Sequence, residues 1–249
     1  MRGTYVRVGG VTFHGSDPAA APVEGFVFVE FEGWNDAPSA RGEKVPRPDA
    51  HGDFDLPVTR GPRLVTMSGW CRASSPERMG HFRSQLTGLL ADGQLGRIIV
   101  DEFGVTQWAD VRIYGDPRFR KRGRSRYADW SIAFRSPDAR KYGETREFAA
   151  GETAVHYGNF PATPTHRVTG TAGGYTINGP SGKKFTVTSG PGSGTDRIDM
   201  ATGRVYRNGV LMLGIVSQGD LWTVGPGLPG VVHTISAGTL TTEATDTFV

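Results

Sequence analysis

Six histidines (His14, His51, His81, His156, His166 and His233) are the first residues to weigh as chemistry, because imidazole binds metals and moves protons near neutral pH. They are scattered, and no two stand at a metal-ligand spacing. His51-Gly52-Asp53-Phe54-Asp55 sets two carboxylates near an imidazole. A divalent-cation cage needs several more oxygen donors, so the segment reads as a strand entry with solvated acids. Ser68-Gly69-Trp70-Cys71 lacks the elbow pattern that exposes a nucleophile. Cys71, the single cysteine, reads as a small buried hydrophobe. It excludes an internal disulfide and argues against a thiolate zinc site. Gly190-Pro191-Gly192-Ser193-Gly194 has no following lysine-serine/threonine and opens no helix, so it reads as a flexible loop. No catalytic, cofactor-binding or metal-binding residue is assigned.

Two constellations suit recognition better than catalysis. Arg118, Arg120, Lys121, Arg122, Arg124 and Arg126 place six cations in nine residues. Such a run can neutralise phosphates, meet an acidic patch on a neighbouring subunit, or simply solvate a hairpin tip. No aromatic platform of the kind that stacks bases surrounds it. Later in the chain Trp222, Tyr206 and Tyr175 could stack on a sugar face, although aromatics in a β-sandwich are more often core.

The elements that must position these groups are mostly strands. Tyr5 to Val8 and Val11 to Phe13 alternate apolar and polar residues around Gly9-Gly10, and Phe26 to Phe31 alternates again. There Phe26, Phe28 and Glu30 are expected on one face, with Val27, Val29 and Phe31 on the other. Residues 35–49 form a polar loop with three prolines, long enough to be functional. Ser75-Pro76-Glu77 is a helix start, and Met79, Phe82, Leu86, Leu89 and Leu90 mark an apolar stripe ending at Asp92-Gly93. Strands follow at 97–100, 107–114 and 127–134, with the basic run between the last two. The result is an α+β domain, one helix laid on a β-sheet or sandwich.

Residues 136–160 read as a connector. Beyond it short β runs at 175–177, 184–187, 197–199, 204–206, 210–216, 221–224 and 231–235 alternate with Asn178-Gly179, Thr202-Gly203 and Asn208-Gly209 turns, as in an all-β sandwich. Composition shifts at the same place. Residues 1–150 hold 22 of 28 Lys and Arg and 19 of 25 Asp and Glu. Two domains are therefore expected, 1–150 and 151–249, in a mainly β chain. Gly and Pro supply 36 and 16 of 249 residues, which excludes an all-helical protein. The apolar runs 25–31 and 210–216 are too short to cross a bilayer. Met1-Arg2-Gly3-Thr4-Tyr5 has no apolar leader and reads as an unprocessed cytoplasmic start. A net charge of +3 is too small to argue for nucleic acid by itself.

The order of these pieces resembles the distal tail (Dit) proteins of long-tailed, non-contractile phages. The carriers are Gly33-Trp34, His51 to Pro57, Arg60, Arg63 to Gly69, the helix ending at Leu89-Leu90, Val111-Arg112-Ile113, and the linker Ser136 to Gly143. In the second half they are Gly158 to Pro164, Ile198 to Gly209 and Gly225-Pro226-Gly227. Each is a weak turn or strand edge alone. The resemblance implies a minor tail protein without catalysis or cofactors. Its N-terminal domain would close into a homo-hexameric ring at the tail tip, between the major tail tube protein and the tail-associated hub protein of the baseplate. Phage DNA would pass through the lumen. The galectin-like C-terminal β-sandwich would hold receptor-binding proteins for host attachment. The resemblance implies no membrane partner, assembly in the host cytoplasm and location in the virion. The rival reading is a carbohydrate-binding module for the host envelope.

Overall fold

The computed structural model describes residues 4–16 and 24–249; Met1 to Gly3, part of the expected cytoplasmic start, lie outside them. The chain divides into two compact units, residues 1–141 with Val249, and residues 142–248.

The first unit contains β1 (Tyr5–Val8), β2 (Val11–Gly15), β3 (Gly25–Glu32), β4 (Ala40–Arg41), β5 (Thr59–Arg60), β6 (Arg63–Arg72), α1 (Pro76–Thr87), β7 (Gly96–Glu102), β8 (Val105–Ile113), β9 (Arg118–Lys121) and β10 (Tyr127–Ser136). Pairing runs β8-β7-β1-β2-β3-β6-β10 and then returns to β8 through Phe134–Ile113 and Arg135–Arg112. The sheet thus closes on itself, which leaves these strands without free edges. Every pairing in the circuit is antiparallel except β2 with β3. Alternation fills the interior: Ala128, Trp130, Ile132 and Phe134 are buried along β10, while Asp129 and Arg135 face out. Phe13, Phe26 and Trp130 meet at centroid distances of 5.0–5.8 Å.

Two local expectations are corrected. In β3 a bulge between Phe28 and Glu30 shifts the register against β6. Val29 is extruded, 61% exposed, and Phe31 returns to the core shared by Phe26 and Phe28. One extra residue reverses the parity of a strand. The facing position is Gly69, where a Cβ would lie 2.1 Å from the Val27 carbonyl oxygen. Helix α1 starts as expected, with the Ser75 side chain accepting from the Arg78 N–H. It ends early, at Gly88, whose N–H bonds the Ser84 carbonyl at 2.9 Å. Leu90 adopts φ +51°, and the turn carries Leu89 into the core. Helical and turn residues can share one apolar spacing, so the stripe alone did not mark the end.

The second unit contains β11 (Lys141–Ala149), β12 (Thr153–Ala154), β13 (Thr165–Thr169), β14 (Gly173–Asn178), β15 (Lys184–Ser189), β16 (Thr195–Asp199), β17 (Arg204–Arg207), β18 (Val210–Met212), β19 (Val216–Gly219), β20 (Val231–Val232), β21 (Thr234–Ile235) and β22 (Thr239–Phe248). Its strands pair in the orders β18-β17-β16-β13-β22-β11 and β19-β15-β14-β21. Ile177, Phe185, Val187, Ile198, Val205 and Leu240 fill the core. The expected connector 136–160 contains strand β11, residues 141–149, and the short β12. The expected strand 221–224 contributes only a single bridge, Val224 with Ala162, and the run 210–216 breaks after Met212.

The same core holds His166 and His233, both almost fully buried, with ring centroids 4.9 Å apart. Trp222 Nε1 donates to His233 Nε2 at 3.0 Å, and His166 Nδ1 shares a 3.0 Å hydrogen bond with Thr242 Oγ1. Burial pushes His166 down to about 3, with the His233 charge adding, and His233 down to about 4. A histidine held below its ordinary value contributes its stability in full above pH ~6.5 and loses it as the pH falls toward the folded-state value. In the intervening window each adds a slope of up to about 1.4 kcal/mol per pH unit, since the unfolded chain takes up a proton that the folded unit refuses. Urea unfolding of the second unit is expected to weaken with that slope as pH falls from 6.5 toward 4. His233→Gln, which keeps an acceptor for Trp222, should remove one histidine's share; an unchanged slope would contradict the assignment.

Candidate functional site

Where β3 ends, the backbone turns at Gly33 (φ +79°), and a Cβ there would lie 1.9 Å from the Leu64 carbonyl oxygen. The turn brings several carbonyls around Arg63, the first residue of β6, which is only 1% exposed. Its Nη1 donates to the carbonyls of Gly33 (2.8 Å), Trp34 (2.9 Å) and Asp36 (2.6 Å), and its Nη2 to Ala139 (3.2 Å). Lys141 Nζ reaches the same Trp34 carbonyl at 2.9 Å and lies over the indole. Burial holds the Arg63 guanidinium below its ordinary range, against the pull of Asp36. Burial, then the charge of Arg63, pushes Lys141 down to about 8, with Glu102 opposing. The Arg63 fork suits divergent carbonyls in a way that an ammonium does not.

This clasp is the root of an arm. Strands β4 and β5 pair through Ala40–Arg60 and Arg41–Thr59. The ribbon continues through a Pro46–Asp53 bridge and Phe54 N–H to the Val45 carbonyl at 2.9 Å. The expected Pro-rich loop is therefore one strand of a longer hairpin. Every residue from 39 to 60 is exposed, including Val45, Phe54 (50%), Leu56 and Val58 (65%). Asp53 and Asp55 alternate with Phe54, Leu56 and Val58 on the segment leading back to β5. A two-stranded ribbon is marginal in water by itself, and this one presents its apolar face uncovered.

The basic run divides. Arg118 to Lys121 is strand β9, paired to β10 through Ala128–Lys121 to Ser131–Arg118; only residues 122–126 form the expected tip. Phe119 points to the core, so Arg118 and Arg120 face outward, beside Ser131 and Asp129. With Arg122, Val29 and Trp70 they line a groove of about 420 Å³. Lys121, Arg124 and Arg126 are not in its lining. Arg122 holds Asp129 in a forked ion pair, Nε to Oδ1 and Oδ2 at 2.9 Å, and these hydrogen bonds raise the guanidinium and lower the carboxyl. Among the described strands β9 pairs only with β10, so its second edge is open. Val29 and Trp70 were not singled out in the sequence. Alternation already sets Val29 opposite the core residues Phe26 and Phe28, and the bulge is what brings Phe31 back to their side.

The three aromatics separate as well. The Tyr175 hydroxyl donates to the buried Asp196 at 2.9 Å, and Arg207 donates to the same carboxylate at 2.8 and 3.0 Å. Burial, then Asp196, holds the Tyr175 phenol above its ordinary range. Trp222 packs on Gly179, where a Cβ would come within 2.7 Å of the indole. Both rings are buried and present no face to a sugar. Tyr206 stays half-exposed. Cys71 is buried, and that burial, with Glu24's charge adding, pushes its thiol up to about 12. Among the described residues no three His, Cys, Asp or Glu gather as metal ligands, and no helix is long and apolar enough to cross a membrane.

No family model and no curated protein sequence matches the chain. Among solved structures, the SPP1 Dit protein, a paradigm of the hub adsorption apparatus in phages infecting Gram-positive bacteria, superposes with TM-score 0.71 at 16% identity, covering 89% of this chain and 94% of that one. The chain has the distal tail protein fold. Chains of the phage P2 baseplate in its activated conformation, with calcium or strontium, share this fold more distantly. They give TM-scores of 0.52 and 0.51 at 5% and 6% identity, each covering 96% of this chain and 97% of the other. The Dit fold is thus reached by a sequence that keeps few of the same residues.

Arg63→Met, which takes the guanidinium from the Gly33, Asp36 and Ala139 carbonyls and leaves the Trp34 carbonyl to Lys141 alone, is expected to cost about 2–4 kcal/mol in chemical denaturation, and Arg63→Lys to recover little of it. Protease cleavage within 36–62 should accelerate in both variants. Wild-type stability in Arg63→Met would show that the clasp does not hold the root.

Proposed function

We propose that this chain is a structural subunit of the tail tip of a long-tailed phage, without a catalytic role. The observation that carries the reading is the SPP1 Dit likeness, which extends over 89% of the chain and so takes in both units. In this reading the N-terminal unit closes with copies of itself into a six-membered ring. The ring lies between the tail tube protein and the hub protein, and DNA passes through its lumen. The C-terminal unit, read as a galectin-like module, carries the receptor-binding apparatus.

The ring contact we assign is between the arm of one copy and the groove of the next. The arm offers Asp53 and Asp55 between exposed apolar side chains; the groove offers Arg118 and Arg120 beside Val29 and Trp70, with the open edge of β9 at its rim. Opposite charges set register and partner choice, and an added strand would satisfy the edge and cover the ribbon's apolar face. Arm and groove are different patches, so the contact is heterologous and closes into a ring when its rotation permits.

Native mass spectrometry of the purified full-length chain, with negative-stain imaging, is expected to show one closed oligomer of fixed stoichiometry. Monomers alone at every concentration would contradict the reading.

A further inference from the structure

On the outer face of the sheet containing β13, β16 and β17, the inward turn of Val168, Ile198 and Val205 leaves Arg167, Arg197 and Tyr206 facing out. Strand register places these three in one row, Arg167 opposite Arg197 and Arg197 opposite Tyr206. Thr165, Thr195 and Asn208 flank the row, and together these residues line a groove of about 550 Å³, a volume that suits a small ligand.

The charges in this groove do not balance internally. Like charges directly opposite each other destabilise an antiparallel pair. Arg167 is compensated by ion pairs with Glu147 and with Glu243, the latter at 2.7 Å. Arg197 is exposed, and its guanidinium has no hydrogen bond or ion pair among the described residues. The groove's own carboxylate, Asp199, is committed to its turn: it accepts from the Ala201 N–H at 2.9 Å and the Thr202 hydroxyl at 2.8 Å. A guanidinium without an ion pair among the described residues therefore stands between a second arginine and a tyrosine ring, with the Asp199 carboxylate and hydroxyl and amide groups around it.

The geometry points to a binding site for an anionic saccharide or polyol. Arg197 pairs with the carboxylate or phosphate, for which its planar fork is suited. The Tyr206 ring packs on the C–H face of the sugar, and Thr165, Thr195 and Asn208 take its hydroxyls. The site is independent of the ring contact, so failure of oligomerisation and failure of ligand binding read out separately.

The test is titration calorimetry on the full-length protein with three probes: a glucuronate oligosaccharide, a glycerol-phosphate oligomer and a neutral glucose oligosaccharide of equal length. Binding of either anionic probe, weakened at least about tenfold by Arg197→Gln and by Tyr206→Ala with unchanged melting curves, supports the site. Preference for glucuronate or glycerol phosphate then distinguishes a uronic-acid polymer from a phosphodiester polymer as the source. Three results would overturn it: no binding of either anion, equal binding of the neutral probe, or wild-type affinity in both variants.

Discussion

A buried arginine with a carbonyl cage is the constraint on which the proposed assembly depends. Arg63 is desolvated, and four backbone carbonyls take the place of its water. Three of them belong to the turn that begins the arm, so the guanidinium cannot be satisfied unless that turn keeps its shape. Gly33 is required for the same reason, because a side chain there would collide with the strand that Arg63 starts. The closed circuit of strands supplies a rigid base, and the clasp fixes where an otherwise unsupported ribbon leaves it. Fixing the root reduces the disorder that the arm must lose on meeting a neighbour.

The second unit solves a different problem. Its core contains polar groups that each need a partner: Asp196 with Tyr175 and Arg207, Trp222 with His233, His166 with Thr242. Paired groups of this kind favour one packing, although His166 Nε2 and His233 Nδ1 are buried without a hydrogen-bond partner, and they leave the outer face of the sheet free for Arg197 and Tyr206. In the second unit the paired interior holds the shape and Arg197 lies outside, whereas the first unit keeps Arg63 and Lys141 buried on carbonyls.

Much of this order was legible in the residues. Period-two alternation marked β1, β2 and β10, and the Ser75 cap marked the start of α1. The sequence of turn motifs, from Gly33-Trp34 to Gly225-Pro226-Gly227, carried the distal tail resemblance, which the fold shares. What was hidden has physical causes. Strand β22 buries Thr242, Ala244 and Asp246 alongside Leu240, so it lacks an apolar signal, and β11 is charged along its length. The arm pairs through its backbone with no buried side chain, which leaves no periodicity to read. Closure of β8 onto β10 and the facing of Arg167 with Arg197 are long-range register, which local pattern does not encode. Tyr175, Trp222 and Tyr206 look alike in the sequence, and only burial separates two core rings from one surface ring.

The most direct test of the arm-to-groove contact is a charge exchange read by oligomer mass. Asp53→Arg with Asp55→Arg, and separately Arg118→Glu with Arg120→Glu, should each dissolve the oligomer into folded monomers, whereas all four substitutions in one chain should restore it. Intact oligomers in either two-site variant, or monomers in the four-site variant, would contradict the account.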